Sequence, residues 1–196
     1  MALMVPTRAP VLYLVACGGR AAGDLPTAIP ELQHDGWDVC VIATPTALRF
    51  LDVEALSALT GHPVRHEYKQ PDEPDVLPPA DAFAVAPATF NTINKMAAGI
   101  SDTLALGILN EAVGLGRPIV AVPTANVALA RHPAFVNSIR QLREWGVRLL
   151  FDPDAYPLPT PNMGPASAGL FPWKALLSTL HDIRIEVLES ASGMPD

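Results

Sequence analysis

Apolar residues along this chain gather in short runs that are separated by segments with helical spacing. The runs do not alternate residue by residue with polar positions, which is typical of strands buried on both faces. We predict strands at Val11–Ala16, Val39–Ala43, Ala82–Ala86, Ile119–Val122 and Val147–Phe151. Helical spacing covers Thr92–Met96, Leu104–Val113 and Ala134–Trp145, and Asp24 opens a further helix. This order predicts a doubly wound parallel sheet with helices on both faces.

Two proline-rich segments interrupt the pattern. Gln70–Pro79 cannot form regular helix, and we expect it to be a loop beside the carboxyl ends of the strands. Asp152–Pro172 has few helix or strand formers, and a loop of that length in a compact domain is usually functional, so we expect it to cover the substrate. Ser190–Asp196 is expected to be a frayed tail of a single domain spanning residues 1–196.

Four successive strand ends carry small, hydroxyl or amide residues. Gly18 and Gly19 follow the first strand, and Thr44 and Thr46 follow the second. The later strands lead into Pro-Ala-Thr-Phe-Asn-Thr and Pro-Thr-Ala-Asn. Ligands of open α/β sheets bind outside the carboxyl ends of the strands, and helix N-termini with nearby hydroxyls suit a phosphate. The sequence therefore predicts a site for a phosphate-bearing ligand at this edge.

The amino-acid composition limits the classes of partner that we expect for this chain. Hydrophobic residues make up 49% of the 196 residues and charged residues only 17%, as in a compact globular protein that buries surface in an oligomer. A net charge of -7 argues against nucleic acid and against anionic membrane as partners, because both are polyanions. The two cysteines, Cys17 and Cys40, end apolar runs and form no disulfide framework, so we expect a cytoplasmic protein.

Two segments resemble the homo-oligomeric flavin-containing cysteine decarboxylases. PATFNTINKMAAGISDTL, from Pro87 to Leu104, is similar to the PASANT block of that family, and PTANVALARHPAF, from Pro123 to Phe135, resembles its PxMNxxMW block. The likeness covers roughly residues 11–151 and is nearest to the branch that acts on peptides. It implies a flavodoxin-like fold, tightly bound FMN, and a trimer or dodecamer of trimers with flavin at the subunit interface.

The resemblance also implies roles for individual residues. Asn126 corresponds to the asparagine that holds the substrate carboxylate, although an asparagine after a strand can equally be a helix cap. We expect Ala125 and Met163 to contact the substrate as well. The residues that correspond to the FMN pocket are Gly18, Gly19, Arg20, Thr44, Thr46, Phe50, Ala88, Thr89, Asn91, Ser101 and Asp102.

The base is where this sequence departs from the family. Glu73 stands at the position of the family histidine, fourteen residues before Pro87. A glutamate could accept the thiol proton if desolvation raised its pKa toward neutrality, or it could be a solvated acid beside Asp72 and Asp75. His66 could take the role if the loop folds back.

Two further departures bear on the reaction. Ala125 and Ala130 replace the methionine and tryptophan of the second block, which widens the substrate pocket or marks the loss of cysteine as substrate. Phosphopantothenoylcysteine decarboxylases also carry a cysteine in the late loop, which reduces the enethiol, and this chain has none there. Three functions stay open: oxidative decarboxylation of a peptide's C-terminal cysteine to an enethiol, a phosphopantothenoylcysteine-type decarboxylation, and an FMN-binding regulatory role without decarboxylation.

Overall fold

A computed structural model describes residues 8–161 and 171–192. Its centre is a parallel sheet of five strands in the order β2-β1-β3-β4-β5, which confirms the doubly wound, flavodoxin-like α/β prediction. The strands are β1 Val11–Ala16, β2 Asp38–Ala43, β3 Ala82–Thr89, β4 Ile119–Thr124 and β5 Arg148–Leu149.

Helices cover both faces of the sheet, and two 3₁₀ helices, Arg20–Asp24 and Ala47–Arg49, follow β1 and β2. The α-helices are α1 Leu25–His34, α2 Val53–Thr60, α3 Phe90–Ala97, α4 Leu104–Gly114, α5 Val127–Ala130, α6 Pro133–Glu144 and α7 Trp173–Ser192. The helices α3, α4 and α6 fall where the spacing predicts them.

The core has two layers because successive strand side chains point to opposite faces. Leu12 and Leu14 of β1 pack with residues of α1 and α7 on one face. Val15 of β1 packs with residues of α3, α4 and α6 on the other. The apolar runs that lack polar alternation are therefore buried on both sides, as the sequence predicts.

The structure departs from the predicted elements at several places. β3 continues to Thr89, so the Pro87 block begins inside a strand, where the register shifts between Val85 and Ala88. The helices α2 and α7 were not predicted, and residues 190–192, expected to be frayed, form the last turn of α7. The apolar spacing of Leu176, Leu180 and Ile183 is the signal for α7, because these side chains are fully buried against the first core layer.

In residues 8–161 and 171–192, no helix combines the length and apolarity needed to cross a bilayer.

Candidate functional site

The sheet reverses its strand order between β1 and β3, and this switch point lies at the predicted site. The crossovers from β1 and from β3 leave in opposite directions, which opens a crevice at the carboxyl ends of the strands. The Cys17 N–H donates a hydrogen bond to the Pro87 carbonyl oxygen at 3.2 Å. A Cβ added to Gly19 would lie 3.2 Å from Cγ of Pro87 and 4.0 Å from Oγ1 of Thr124, so the turn after β1 passes close to β3 and β4.

A cavity of about 260 Å³ occupies this switch point. Arg20 and Asp152 are its charged lining residues, and the rest of its wall is mainly proline, aliphatic and aromatic. The proline-rich loop that begins at Asp152, called the late loop, is connected to the segment after β4 because the Val127 N–H donates to the Pro159 carbonyl oxygen at 3.0 Å. The lining residues are Gly19, Arg20, Ala21, Pro87, Val122, Pro123, Thr124, Ala125, Leu150, Phe151, Asp152, Tyr156, Pro157, Leu158, Pro159, Phe171 and Pro172.

The late loop thus forms one wall of the cavity through its described residues. Tyr156, Leu158 and Phe171 were not predicted as site residues, although aromatic and aliphatic side chains in a proline-rich loop are a usable signal. Met163, which the sequence predicts to contact substrate, lies outside the described residues.

The turn after β2 reaches the turn after β1. Thr44 donates its N–H to the Ala16 carbonyl oxygen at 2.9 Å and accepts the Ala47 N–H at 2.8 Å. A Cβ on Gly18 would lie 2.5 Å from Cγ2 of Thr46. Thr46 and Phe50 are exposed and, like Thr44, do not line the cavity. The predicted cofactor residues after β1 and β2 therefore form a surface that continues from the cavity.

The residues after β3 build a hydroxyl cluster at the start of α3. Thr89 caps α3, its Oγ1 accepting the Thr92 N–H at 3.5 Å and lying 3.2 Å from Thr92 Oγ1. Ala88 is buried, and its carbonyl oxygen accepts from Thr124 Oγ1 at 3.4 Å. Asn91 is exposed in the first turn of α3. The predicted residues Ala88, Thr89 and Asn91 therefore lie together at one strand end.

Cys17 stands directly behind this cluster and is fully buried. Its thiol donates to Thr92 Oγ1 at 3.2 Å. Burial raises the pKa of the Cys17 thiol above its usual value, although the hydrogen bonds to Thr92 and Thr89 oppose that shift. A protonated and buried thiol is a poor nucleophile and a poor reductant, so Cys17 is a structural side chain.

Ser101 and Asp102 lie in the connection between α3 and α4 and are exposed. The Lys95 ammonium pairs with the Asp102 carboxylate, and Asn110 Nδ2 donates to Ser101 Oγ at 2.9 Å. Side chains from both helices thus hold this connection in place. Neither Ser101 nor Asp102 lines the cavity in the single chain.

Asn126 fills the helix-cap role that the sequence left open, and its substrate role stays a prediction. Its Oδ1 accepts the N–H groups of Ala128 at 3.0 Å and of Leu129 at 2.9 Å, so it is the N-cap of α5. This cap uses the side-chain oxygen and leaves the amide NH₂ group, a double donor suited to a carboxylate. The side chain is half-buried and adjoins Ala125 of the cavity wall.

The candidate bases lie apart from the cavity in a single chain. The Glu73 carboxylate is exposed and accepts the Gln70 N–H at 2.9 Å, and the His66 Nδ1 atom lies 3.8 Å from the Glu67 carboxylate. Neither Glu73 nor His66 is among the cavity-lining residues.

The loop that carries Glu73 was expected at the carboxyl ends of the strands, and its course corrects that prediction. The connection from α2 to β3, which contains this loop, begins near the carboxyl end of β2, where Arg65 forms a parallel bridge with Ile42. Tyr68 then donates its hydroxyl to the Thr103 carbonyl oxygen at 3.2 Å, at the start of α4. The chain next crosses the sheet face, where the Pro78 carbonyl oxygen accepts from the Tyr13 hydroxyl at 2.9 Å, and enters β3 at Ala82, at the end opposite the carboxyl ends of the strands.

Comparison with known proteins places the chain among flavin-binding relatives. The family model described as Flavoprotein matches residues 6–184. The bifunctional coenzyme A biosynthesis protein CoaBC of Mycolicibacterium smegmatis is 29% identical over 182 residues, which are 91% of this chain and 42% of that protein. CoaBC of Mycobacterium tuberculosis is 32% identical over 173 residues, 86% of this chain and 40% of that protein. The chain thus spans about two fifths of the length of these curated relatives.

Solved structures share the fold over most of their length. The FMN-dependent cysteine decarboxylase SpaF superposes with a TM-score of 0.69 at 22% identity, covering 91% of this chain and 97% of SpaF. The epidermin biosynthesis protein EpiD from Staphylococcus aureus gives 0.59 at 28% identity, covering 71% and 81%. A cysteine-to-serine mutant of PPC decarboxylase, complexed with pantothenoylaminoethenethiol, gives 0.62 at 23% identity, covering 73% and 82%.

Proposed function

This chain belongs to the flavoprotein family, and from that premise we propose that it is an FMN-dependent decarboxylase acting on the carboxy-terminal cysteine of a peptide. The observation that carries the proposal is the meeting of three sequence blocks at the switch point. Gly19, Pro87 and Ala125 line one cavity, and Asn126 follows directly on its wall. The FMN-dependent cysteine decarboxylases among the structural neighbours share this fold.

The residues at the switch point fit FMN. The apolar wall suits an aromatic ring, and the lack of side chains at Gly18 and Gly19 lets the turn after β1 pack closely against Thr46 and Pro87 beside the cavity. Within residues 8–161 and 171–192, the N–H groups of Gly18 and Gly19 have no acceptor, so both remain free for ring or phosphate oxygens. Thr44, Thr46, Thr89 and the start of α3 supply further donors near a positive helix end.

FMN supplies the oxidation of the cysteine side chain, which makes loss of the neighbouring carboxylate as carbon dioxide feasible. The chain itself must orient the substrate and keep out water. The amide NH₂ of Asn126 holds the carboxylate, and Ala125 leaves space beside it for the rest of the peptide. The described part of the late loop forms one wall of the cavity with Tyr156, Leu158 and Phe171, and in the proposed reaction this wall limits the access of solvent.

The remaining parts of the proposed site come from a second copy of the chain. The cavity of about 260 Å³ is slightly smaller than the range of roughly 300–1,000 Å³ for ligand pockets, and Ser101, Asp102 and Phe50 lie outside it. Glu73 is also exposed outside it. A trimer or dodecamer of trimers would bring such exposed groups of one subunit onto the FMN of the next. In that assembly Glu73 takes the thiol proton, with His66 as the other candidate.

The product of the proposed reaction is the enethiol. The chain has two cysteines, Cys17 and Cys40, both buried and both outside residues 152–172. No thiol is therefore available in the late loop to reduce the product further. In PPC decarboxylase, a cysteine-to-serine mutant is the form complexed with pantothenoylaminoethenethiol. Two buried free thiols also suit the reducing cytoplasm, which is the compartment we propose.

The second candidate is a phosphopantothenoylcysteine-type decarboxylase, and the identity to CoaBC favours it. A phosphorylated substrate needs cationic groups, and Arg20 is the cationic residue among those lining the cavity. The aromatic and proline wall is better matched to an uncharged peptide segment. We therefore rank the peptide substrate first and include both substrates in the test.

The experiment begins with the colour of the purified protein. FMN released on denaturation, identified by absorbance and mass, is expected at one equivalent per chain. A protein that stays colourless when FMN is supplied would contradict the proposal.

The FMN-loaded protein is then incubated in air with peptides that end in cysteine, with the same peptides ending in serine as controls, and with phosphopantothenoylcysteine. A mass decrease of about 46 Da, from carbon dioxide and two hydrogens, is expected for the cysteine peptides alone. Turnover of phosphopantothenoylcysteine instead would favour the second candidate. A flavin-loaded protein inactive on every substrate would favour a regulatory, non-decarboxylating role.

A further inference from the structure

Three side chains of different chemistry meet beside the edge strand β2, away from the switch point. Asp38 and Cys40 are two residues apart in β2, so their side chains share one face of the strand. His62 follows α2 and returns to the start of β2, where its Nε2 lies 2.7 Å from Asp38 Oδ1. One carboxylate oxygen, the thiol sulfur and one imidazole nitrogen lie within 4.8 Å of one another.

The three atoms lie close to the separations that one small cation requires. Zinc binds thiolate sulfur at about 2.3 Å and imidazole nitrogen or carboxylate oxygen at about 2.0–2.2 Å in tetrahedral geometry, so neighbouring ligand atoms lie roughly 3.3–3.7 Å apart. Zinc binding therefore requires that His62 Nε2 and Asp38 Oδ1, which lie 2.7 Å apart, separate to these distances. The donor set combines sulfur, nitrogen and oxygen, which selects a borderline metal such as Zn²⁺ over the oxygen-preferring Mg²⁺ and Ca²⁺.

The three residues differ in burial, and two of them can be reached from solvent. Cys40 is completely buried, whereas the side chains of His62 and Asp38 are 23% and 35% exposed. A cation can therefore reach the cluster from solvent and keep a water molecule as fourth ligand. The guanidinium of Arg65, a cation in the segment after His62, donates a hydrogen bond from Nη2 to the Glu67 carbonyl oxygen at 3.1 Å.

We propose that Asp38, Cys40 and His62 form a zinc-binding site, which joins the segment after α2 to strand β2. The proposal is independent of the proposed decarboxylase function, because none of the three residues lines the cavity at the switch point. The metal would replace the single His62–Asp38 hydrogen bond by three ligand bonds. Zinc should therefore stabilise the folded chain, since it binds a site that the unfolded chain lacks.

The test uses the full chain with its flavin, stripped of metal by a chelator and then supplied with Zn²⁺ alone. We expect one tightly held zinc per chain after gel filtration, measured by atomic emission. X-ray absorption at the zinc edge should show one sulfur ligand among nitrogen and oxygen ligands. Zinc should also raise the unfolding temperature.

Matched variants decide whether these three residues hold the metal. Cys40→Ser, His62→Gln and Asp38→Asn should each weaken zinc binding at least tenfold, and the two partly exposed positions, His62 and Asp38, keep the test decisive if Cys40→Ser fails to fold. His181→Gln is the control, because His181 Nδ1 pairs with Asp35 Oδ1 at 2.6 Å outside this cluster. Zinc that does not survive gel filtration, that lacks a sulfur ligand, or that is held equally by His62→Gln would overturn the proposal.

Discussion

Gly18 and Thr46 are packed so closely that a single methyl group on the glycine would not fit. A Cβ at residue 18 would lie 2.5 Å from Cγ2 and 2.8 Å from Cβ of Thr46. The contact joins the turns after β1 and β2, both of which we assign to the proposed FMN site. Glycine at position 18 is therefore what allows these two turns to lie in contact.

We predict that Gly18→Ala separates these turns and weakens FMN retention. Overpacking of this kind costs about 1–3 kcal/mol, and the displaced turns carry the proposed flavin contacts. The measurement is the FMN content after gel filtration, together with the unfolding temperature. Gly23→Ala is the control, because a Cβ at Gly23 would meet nothing within 4 Å. Equal FMN retention in both variants would argue against a flavin role for the turns.

Asn126 allows the cap and the substrate role to be separated by two substitutions. Asn126→Asp keeps the oxygen that caps α5, so we expect stability close to wild type, whereas Asn126→Ala should lose about 0.5–2 kcal/mol. Both variants remove the amide donors, and the aspartate also repels the substrate carboxylate, so both should lose decarboxylation. Thermal unfolding and the peptide mass assay are the measurements. A fully active Asn126→Asp enzyme would leave Asn126 with the cap alone.

Glu73→Gln tests the proposed base. The amide keeps the shape of the side chain but cannot take a proton, so decarboxylation should slow by about a hundredfold to ten-thousandfold while FMN stays bound. Asp72→Asn, one residue away in the same exposed segment, is the control and should keep normal rates. If Glu73→Gln turns over at the wild-type rate, the base assignment is wrong and His66→Gln becomes the next variant to measure.

The assembly state is predicted from the incomplete site of the single chain. Gel filtration with light scattering should show a trimer or a multiple of three that carries FMN. Dilution should release FMN as the assembly dissociates, because the interface and the ligand stabilise each other. An FMN-loaded monomer that decarboxylates peptides would contradict this prediction.

Tyr13 predicts how stability changes in alkali. Burial, followed by the nearby Cys40 and Asp75, raises the Tyr13 pKa from 10.0 to about 12, and the hydroxyl donates to the Pro78 carbonyl oxygen at 2.9 Å. Below about pH 10 the phenol is protonated in both states. Between about pH 10 and 12 the unfolded chain loses this proton more readily, so the free energy of unfolding should fall as the pH rises.

The measurement for Tyr13 is denaturant unfolding at several pH values, compared with Tyr13→Phe. The phenylalanine keeps the edge contact with the Phe83 ring, whose centroid lies 5.7 Å away, but has no proton to lose. Its stability should decline less steeply across this pH range. Parallel pH profiles for the two proteins would show that Tyr13 is not responsible.

The sequence by itself determined the sheet and the location of the candidate site at its edge. Apolar runs such as Val11–Ala16, without polar alternation, bury the side chains of both strand faces only when helices cover both sides of the sheet. Parallel strands then require that the residues following them meet at one edge. For that reason the positions of Gly19, Pro87 and Ala125 around one cavity were predictable from chain order and turn residues.

The tertiary structure decided what depends on contacts between distant segments. The apolar spacing of α7 can be read from the sequence, but where the helix docks depends on distant residues, among them Asp24, whose carboxylate accepts from Trp173 Nε1 at 3.1 Å. The course of the Glu73 loop depends on Tyr68 meeting Thr103, and the cluster at Cys40 depends on His62 returning to β2. No local sequence pattern specifies these contacts between distant segments. The periodicity of apolar side chains indicates which face of an element is buried, but it does not indicate which other element covers that face.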